Sequence, residues 1–426
     1  PPGCGKTHTS CALLRAAARS SSSGSRLRLL AAADSNVAVD QLLVGLLDLG
    51  VNALRFGPPA SMTNDALRRA SVQARMEEHH LHGEWQKLRE SILEHSRALT
   101  VIKEELRTHR GGVAVAERTS AATSRGPAAG GGDAGQAAGE LPTCPIVRYR
   151  QRQATLEQQK RKARGLEQEM AMEIIQGSEV ICSTLAGCGS DTLKKMQFDV
   201  VLIDEATQAT EPRAVIAVNR LRSDGRLVLV GDHRQLSPVC TSQTAYDLGL
   251  GVSLFERLLG HDSLQPVLLN MQFRMHPLIS AWPSSTFYGG LLLDGVSAAQ
   301  RAPVPGIEWP SAGGLAFLPA SGTEEKSQDG SSRMNRAEAD LVCGIVGRFL
   351  QHVASEDIGI ISPYRGQVGL LKRLLKGAVE VRTVDGYQGR EKPVVVVSCV
   401  RCNSAGRVGF LADPRRLNVA LTRAQR

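Results

Sequence analysis

The sequence predicts an α/β protein with two blocks of parallel sheet and a helical insertion in the first block. Short apolar strands alternate with helices at the start of the chain and again after about residue 176, which is the pattern of parallel sheets covered by helices. The alternation breaks at about residue 66, where long amphipathic stripes follow. Two later apolar runs, 199–206 and 226–232, end in acidic residues, as buried parallel strands do when their carboxyl ends form a site.

The first block opens with an Ala- and Leu-rich helix that is predicted over 7–20. A short buried strand is predicted over 26–33, and a second helix over 34–50. Either Asp34 or Ser35 is expected to be the N-cap of that second helix, because both side chains accept hydrogen bonds from free backbone N–H groups.

Two apolar stripes at helical spacing predict a pair of long helices in the insertion, 66–175. Between them, the segment 111–145 is poor in large apolar groups and is predicted to be disordered. We expect an antiparallel hairpin in which each stripe covers the other. The stripes consist of Leu81, Trp85, Leu88, Ile92, Leu99, Ile102 and Leu106, and of Leu156, Ala163, Leu166, Met170 and Ile174.

The outer face of the second predicted helix is basic. Residues 146–169 hold seven Lys or Arg against three Glu. Two interpretations stay open for this face: a solvated surface, or a contact with nucleic acid.

The second block of alternation starts near residue 266. Its clearest predicted strands begin the runs 357–367 and 392–401, and both are rich in Val and Ile. The architecture expected from the pattern is therefore two α/β blocks with one helical insertion.

Composition limits the classes of protein. The 426 residues allow two or three domains. The net charge of +9 fits an anionic partner and scattered surface charge equally well. Nine widely spread cysteines indicate reduced thiols and an intracellular location, in cytoplasm or nucleus, and the single C-x-x-C pair at Cys399 and Cys402 does not predict a zinc site. The sequence lacks an apolar run long enough to span a membrane, so no membrane partner is expected.

The chain begins with PPGCGKT, which matches the closing part of a phosphate-binding loop, G-x-x-x-x-G-K-[ST]. Lys6 would place a positive charge between the β- and γ-phosphates, and the backbone N–H groups from Gly3 to Thr7 would bind phosphate oxygens. The Thr7 hydroxyl would bind Mg²⁺.

Acidic and amide side chains at two strand ends complete the first half of the predicted site. Asp204 follows the strand VVLI and would hold the metal, while Glu205 beside it would orient or deprotonate an attacking water. Gln235 in GDHRQL is an uncharged group able to sense the γ-phosphate or the water.

Two arginines of the second block are predicted to act on phosphates bound to the first. Arg274 lies in QFRMHP and Arg423 in NVALTRAQR. Such arginines accelerate phosphoryl transfer by about three to five orders of magnitude, because negative charge grows on the transferred group. If the two blocks must close before these arginines reach the phosphate, hydrolysis is coupled to domain motion.

These motifs occur in one order along the chain: PPGCGKT, AADSNVAVDQ, LIDEATQ, LVGDHRQLSP, QFRMHP, ISPYRGQ, VRTVDGYQGREK and RRLNVALTRAQ. The set resembles the superfamily 1B helicases of the up-frameshift and senataxin branch, over the whole chain apart from the insertion. The resemblance implies two RecA-like P-loop NTPase domains with parallel sheets, ATP and Mg²⁺ as cofactors, ATP hydrolysis, and 5′ to 3′ movement along single strands.

The resemblance also implies residue roles. Phe273 would stack on adenine and Glu391 would contact the ribose. The implied nucleotide-binding set is Gly3, Cys4, Gly5, Lys6, Thr7, His8, Phe273 and Glu391, and the implied catalytic set is Lys6, Asp204, Glu205, Gln235, Arg274 and Arg423. The small polar groups implied for sequence-independent strand binding are Ser35, Asn36, Ser183, Thr184, Ser362, Pro363, Tyr364, Thr383 and Asp385.

Some features depart from the family pattern. Cys4 stands where threonine is usual, and Asp34 where proline is frequent. The chain also starts inside a loop motif and stops soon after Arg423, so we expect both RecA-like domains to be truncated at these ends. The expected divisions are 1–65 and 176–265 for the first RecA-like domain, 66–175 for the insertion and 266–426 for the second RecA-like domain.

The function expected from these motifs is an ATP-dependent helicase or translocase on single-stranded RNA or DNA, with RNA slightly favoured. An alternative of a different class is an ATP-gated clamp that remodels ribonucleoprotein with little unwinding. A regulatory protein with an inactive site is disfavoured, because every catalytic position holds a competent residue. Protein regulators stay open as further partners.

Overall fold

The computed structural model describes residues 1–20, 26–58, 64–108, 145–310, 314–320, 322–327 and 330–426. These residues form two compact units. The larger unit comprises Pro1–Leu67 with Glu179–Arg426, and the hairpin unit comprises Arg68–Ser178. Among the described residues, no helix combines the length and the apolar character that a membrane crossing would require.

The first sheet of the larger unit has five parallel strands in the order β2-β3-β1-β4-β5. Its central strand β1 reads LLAAA and is buried throughout, because neighbouring strands and helices enclose it. The strands are β1 Leu29–Ala33, β2 Ala53–Phe56, β3 Val180–Thr184, β4 Phe198–Ile203 and β5 Leu221–Leu229.

The second sheet has three parallel strands in the order β11-β10-β12. They are β10 Ile358–Ser362, β11 Glu380–Thr383 and β12 Val394–Val397. Helices pack on this sheet through a core that includes Val346, Ile360 and Leu371. The predicted α/β class with two parallel sheets is therefore confirmed.

Shorter elements complete the larger unit. Its remaining strands are the parallel pair β6 Met271–Gln272 and β7 Leu293–Asp294 and the antiparallel pair β8 Glu325–Lys326 and β9 Arg333–Met334. Its helices are α1 Lys6–Arg19, α2 Asn36–Asp48, α3 Asp65–Arg69, whose last residues belong to the hairpin unit, α7 Glu211–Val218, α8 Gln243–Ala245, α9 Leu254–Leu259, α10 Pro277–Phe287, α11 Arg336–Phe349, α12 Arg365–Leu374 and α13 Pro414–Leu421.

The structure shows which of the two predicted residues, Asp34 or Ser35, caps helix α2. The Ser35 hydroxyl accepts a hydrogen bond from the Ala38 N–H at 3.2 Å, so Ser35 is the cap. Asp34 instead forms an ion pair with Arg213 at 2.8 Å.

The hairpin unit contains two long helices, α5 His82–Thr108 and α6 Pro145–Gly177, after the short α4 Val72–Glu77. Their apolar stripes meet, with Ile102, Leu106, Leu156 and Met170 buried. The predicted helical hairpin is therefore confirmed. The segment predicted to be disordered, 111–145, lies outside the described residues except for Pro145, at which α6 begins.

Polar pairs fix the antiparallel arrangement of α5 and α6. Near one end, Lys162 binds Glu84 at 2.8 Å. Near the other, Arg148 binds Glu105 at 3.0 Å. The residue numbers increase in opposite directions along the two helices, so the helices are antiparallel. These pairs also show that some basic residues of 146–169 have acidic partners within the hairpin unit.

Candidate active site

The loop before α1 contains two glycines in the left-handed backbone region. Gly3 and Gly5 have φ values of 70° and 71°, which favour glycine. Lys6 is the first residue of α1, and its Nζ donates to the Pro1 carbonyl at 3.0 Å. The free N–H groups at the start of α1 and the Lys6 ammonium together suit an anion.

Thr7 and Asp204 meet at the carboxyl end of β4. The Thr7 hydroxyl donates to Asp204 Oδ2 at 3.0 Å. Burial, and then the neighbouring Glu205, raise the pKa of Asp204 to about 6, so its negative charge is disfavoured without a cation. A hydroxyl beside a buried carboxylate is a donor set that fits Mg²⁺.

Glu205 is held in an uncommon backbone conformation. Its φ of 51° places a non-glycine residue in the left-handed region, which costs free energy and is typical of functional positions. The Gln208 side chain donates to Glu205 Oε2 at 2.8 Å. The Glu205 carboxylate is therefore directed by its backbone and by this amide.

Arg423 is a buried cation held by neutral groups. The residue is 2% exposed, and its guanidinium donates to the Val419 carbonyl at 2.9 Å and to Gln235 Oε1 at 3.2 Å. Burial, and then the nearby Arg274, lower the pKa of Arg423 to about 9. A buried guanidinium whose acceptors are neutral is suited to an incoming anion.

Arg274 packs directly on the phosphate-loop glycine. A Cβ added at Gly3 would lie 2.7 Å from the Cβ of Arg274, and the Phe273 N–H donates to the Gly3 carbonyl at 2.9 Å. The Arg274 guanidinium binds the Glu391 carboxylate and donates to the Thr422 carbonyl at 2.9 Å. The two blocks therefore touch at this loop.

One cavity of about 270 Å³ brings most of the predicted residues together. Asp204 does not line this cavity, but it accepts a hydrogen bond from Thr7, which does. The predicted residues that line the cavity are Gly3, Cys4, Gly5, Lys6, Thr7, His8, Glu205, Gln235, Phe273, Arg274, Glu391 and Arg423.

Gln41 and Gly389 also line the cavity and were not predicted. The Gln41 side chain donates to the Gly389 carbonyl at 3.3 Å, which is a second contact between the blocks. Gly389 belongs to the motif VRTVDGYQGREK, and Gln41 is the last residue of the motif AADSNVAVDQ. Both motifs were recognised, but neither residue was assigned to the nucleotide site.

A buried hydrogen-bond chain behind the cavity was also missed. Asp232 Oδ2 accepts from Gln235 at 2.5 Å and from the Tyr288 hydroxyl at 2.8 Å. The Asn418 amide donates in turn to the Tyr288 oxygen at 2.8 Å. This chain holds Gln235 from the side opposite Arg423. Asp232 ends a predicted strand, and Asn418 lies in the motif RRLNVALTRAQ. Tyr288 lies outside all the quoted motifs, so the local sequence does not mark it.

Several predicted strand-binding side chains have partners inside the fold. Ser35 caps α2, and Asn36 Oδ1 accepts from Arg55 at 2.8 Å. Ser183 and Ser362 are fully buried. In this structure these polar groups stabilise their own loops and helices, so their predicted contact with a strand stays a prediction.

The remaining predicted positions lie at the last residues of strands or in the segments that follow them. Thr184 and Thr383 accept from backbone N–H groups three residues later, and Asp385 pairs with Arg416 at 3.4 Å. Pro363 and Tyr364 form the turn between β10 and α12. All lie at the carboxyl ends of parallel strands, where ligands of open α/β sheets bind.

The sequence is similar over its whole length to curated proteins of other organisms. A regulator of nonsense transcripts 1 homolog of Neurospora crassa is 36% identical over 444 residues, which are 100% of this chain and 34% of that protein. The ATP-dependent helicase NAM7 of Saccharomyces cerevisiae is 35% identical over 440 residues, 100% of this chain and 38% of that protein. The chain thus spans about a third of the length of the curated relatives that it matches.

The solved structure of the arterivirus nonstructural protein 10 helicase with DNA matches with a TM-score of 0.40 at 12% identity, over 100% of this chain and 57% of that chain. Two family models, both described as AAA domain, match residues 1–243 and 250–426. The chain therefore belongs to this AAA-domain family, and the resemblance of its motifs to superfamily 1B helicases of the up-frameshift branch is confirmed.

Proposed function

We propose that the chain is an ATP-dependent motor, a helicase or translocase that moves 5′ to 3′ along single-stranded nucleic acid. One observation carries this proposal: Lys6 and Glu205 of the first block share a cavity with Arg274 and Arg423 of the second. A triphosphate bound there would touch both blocks, so its hydrolysis would change the contacts between them. The name of the yeast relative, ATP-dependent helicase, supports the same function.

Phosphate binding is assigned to the loop and to the start of α1. Lys6 and the N–H groups of the loop would hold the phosphate oxygens. Thr7 and Asp204 would hold Mg²⁺, which neutralises phosphate charge in the reaction. Phe273, whose ring lies against Gly295, would stack on adenine.

Catalysis is divided between the blocks. Glu205, directed by Gln208, would accept the proton of the attacking water. Gln235 would orient that water, while Arg274 and Arg423 would stabilise the charge that grows on the transferred phosphoryl group. Glu391 binds Arg274 and receives a hydrogen bond from Gln425 at 2.9 Å, and this pairing keeps Arg274 at the cavity.

The polymer is proposed to be a single strand read through its backbone. The net charge of +9 fits a phosphate backbone, and the polar turns at the carboxyl ends of the strands suit phosphates and sugars. RNA is slightly favoured over DNA. Protein regulators and an intracellular location, in cytoplasm or nucleus, stay predictions.

The test is ATP hydrolysis by this chain, titrated with single-stranded RNA and then with single-stranded DNA. We expect at least one polymer to raise the rate, and a Lys6→Ala variant to lose the activity. A duplex with a 5′ single-stranded overhang, in a strand-displacement assay, separates the motor from the ATP-gated clamp. Hydrolysis without displacement would favour the clamp, and absence of hydrolysis with either polymer would overturn both.

A further inference from the structure

A second cavity of the larger unit, of about 570 Å³, lies beside Phe410 in the second block. We propose that this cavity binds one base of the single strand, with Phe410 as its stacking platform. The inference rests on the proposed function, because it assigns a contact to the polymer on which the motor acts.

The position of the cavity suits a ligand of the second sheet. Tyr364 lies two residues after the end of β10, and Arg401 four residues after the end of β12, and both line the cavity. The carboxyl ends of parallel strands are where open α/β sheets bind ligands. Thr383 ends the neighbouring strand β11 at the same edge, so the cavity adjoins the turns predicted to contact a strand.

Phe410 has the exposure and the support of a stacking ring. Its side chain is 53% exposed, whereas Tyr364 is 4% exposed. The two ring centroids are 5.4 Å apart at an interplanar angle of 52°, and the Tyr364 hydroxyl accepts from the Phe410 N–H at 3.3 Å. A buried tyrosine therefore holds Phe410 in place while about half of that residue stays exposed, as base stacking on a protein surface requires.

The charges around the cavity suit a phosphate backbone. Arg333 and Arg401 share a single carboxylate, Glu324, with both N···O distances at 2.7 Å. Two cations against one anion leave that wall positive, and Lys326 adds to it. Positive charge beside an aromatic platform is the combination with which proteins bind single strands without reading their sequence.

Arg416 also contacts the platform. Its guanidinium carbon is 5.3 Å from the centroid of Phe410, within the range of a cation–π interaction. The same side chain pairs with Asp385 and Asp413 at 3.4 and 3.2 Å. Arg416 therefore orders the ring, while its own charge is largely balanced.

Glycine at position 409 allows the segment of the platform to approach Tyr364 and Arg401 closely. Gly409 has a φ of 59°, and a Cβ there would collide with the Tyr364 hydroxyl and with Arg401. Only glycine combines this conformation with this close approach.

The test measures strand binding by the complete chain with Phe410 replaced. A 12-nucleotide oligouridylate and a 12-nucleotide oligothymidylate, each carrying one 2-aminopurine, are the probes. We expect Phe410→Ala to weaken binding by about 5- to 150-fold. The slope of affinity against salt should stay unchanged, because stacking involves no phosphate. Phe410→Trp should keep the affinity and quench the 2-aminopurine, and Phe410→Leu should resemble Phe410→Ala.

Phe317→Ala is the matched control, since Phe317 is 89% exposed in the same block and lies outside the cavity. ATP hydrolysis without polymer should be equal in all variants, which shows that they fold. Wild-type binding by Phe410→Ala, or full affinity in Phe410→Leu, would overturn the stacking site while leaving the motor intact. Failure of the unmodified chain to bind either probe would instead remove the proposed function and this inference together.

Discussion

The cavity at the phosphate loop and the cavity beside Phe410 hold charge in different ways. In the first, Arg423 is buried and hydrogen-bonded to neutral groups, and Asp204 is a buried carboxyl with a raised pKa. In the second, Arg333 and Arg401 are paired with Glu324 beside an exposed ring. Buried charges held by neutral groups act strongly on one geometry of a ligand. Paired charges beside an exposed ring instead suit weaker binding that does not depend on base sequence.

Replacing the buried cation should give the largest effect. We expect Arg423→Ala to lower the kcat of ATP hydrolysis by about 10³-fold or more, because transition-state charge loses its partner. The KM for ATP should change far less. Steady-state kinetics would measure both, and melting would show whether the buried site still folds. Arg348→Ala, an exposed change in the same block, is the control. Equal losses in ATP affinity and in kcat would show that Arg423 binds the ATP ground state as well as the transition state.

Removing the carboxylate of Glu205 should give the second-largest effect on ATP hydrolysis. Glu205→Gln keeps the shape and the backbone but cannot accept a proton, so turnover should fall by about 100-fold or more. Nucleotide binding, measured with a fluorescent ATP analogue, should persist. Glu211→Gln is the control, because Glu211 pairs with Arg257 at 2.6 Å and does not line the cavity. Undiminished hydrolysis would remove Glu205 from the mechanism.

Loosening the hydrogen-bond chain behind the cavity should have a moderate effect. Tyr288→Phe removes the hydroxyl that donates to Asp232, so Gln235 is held less firmly. We expect kcat to fall by about fivefold, as for the loss of one hydrogen bond, with little change in KM. Tyr246→Phe, at an exposed tyrosine, is the control. An unchanged kcat together with a lower melting temperature would mean that Tyr288 serves stability alone.

Neutralising the basic face of α6 should have the smallest effect. Arg150, Arg161 and Arg164 are exposed, and neighbouring basic side chains already pair with acids of the hairpin unit. We expect the triple change to Gln to leave the salt dependence of strand binding unchanged. If the face binds nucleic acid, the slope should instead become shallower by about 0.7 for each phosphate that the arginines had neutralised.

Local chemistry explains what could be predicted. Patterns of neighbouring residues predict three features: the phosphate loop, the acids after β4 and the alternation of strands and helices. Each can therefore be recognised from a short segment of sequence. The two parallel sheets and the hairpin were predictable for the same reason. Lys6, Glu205 and Arg423 were expected at one site, and the structure places them in one cavity.

Contacts between distant segments explain what could not be predicted. Tyr288 meets Asp232 across 56 positions and Asn418 across 130, and each pair depends on how whole elements pack. Ser183 and Ser362 are fully buried in this structure, which the sequence does not show, because a hydroxyl at a strand end looks the same whether it is buried or exposed. Their contact with a strand stays a prediction. The contact of Gln41 with the Gly389 carbonyl likewise depends on how the two blocks pack.

Gly3 approaches Arg274 closely, so the phosphate loop also sets the distance between the two blocks. A single methyl group at that glycine would lie 2.7 Å from the Arg274 Cβ, so one of the two blocks would have to shift at this contact. The absence of a side chain at Gly3 thus sets how closely the two blocks can approach around the nucleotide. We expect a larger residue at this position to prevent their closest approach.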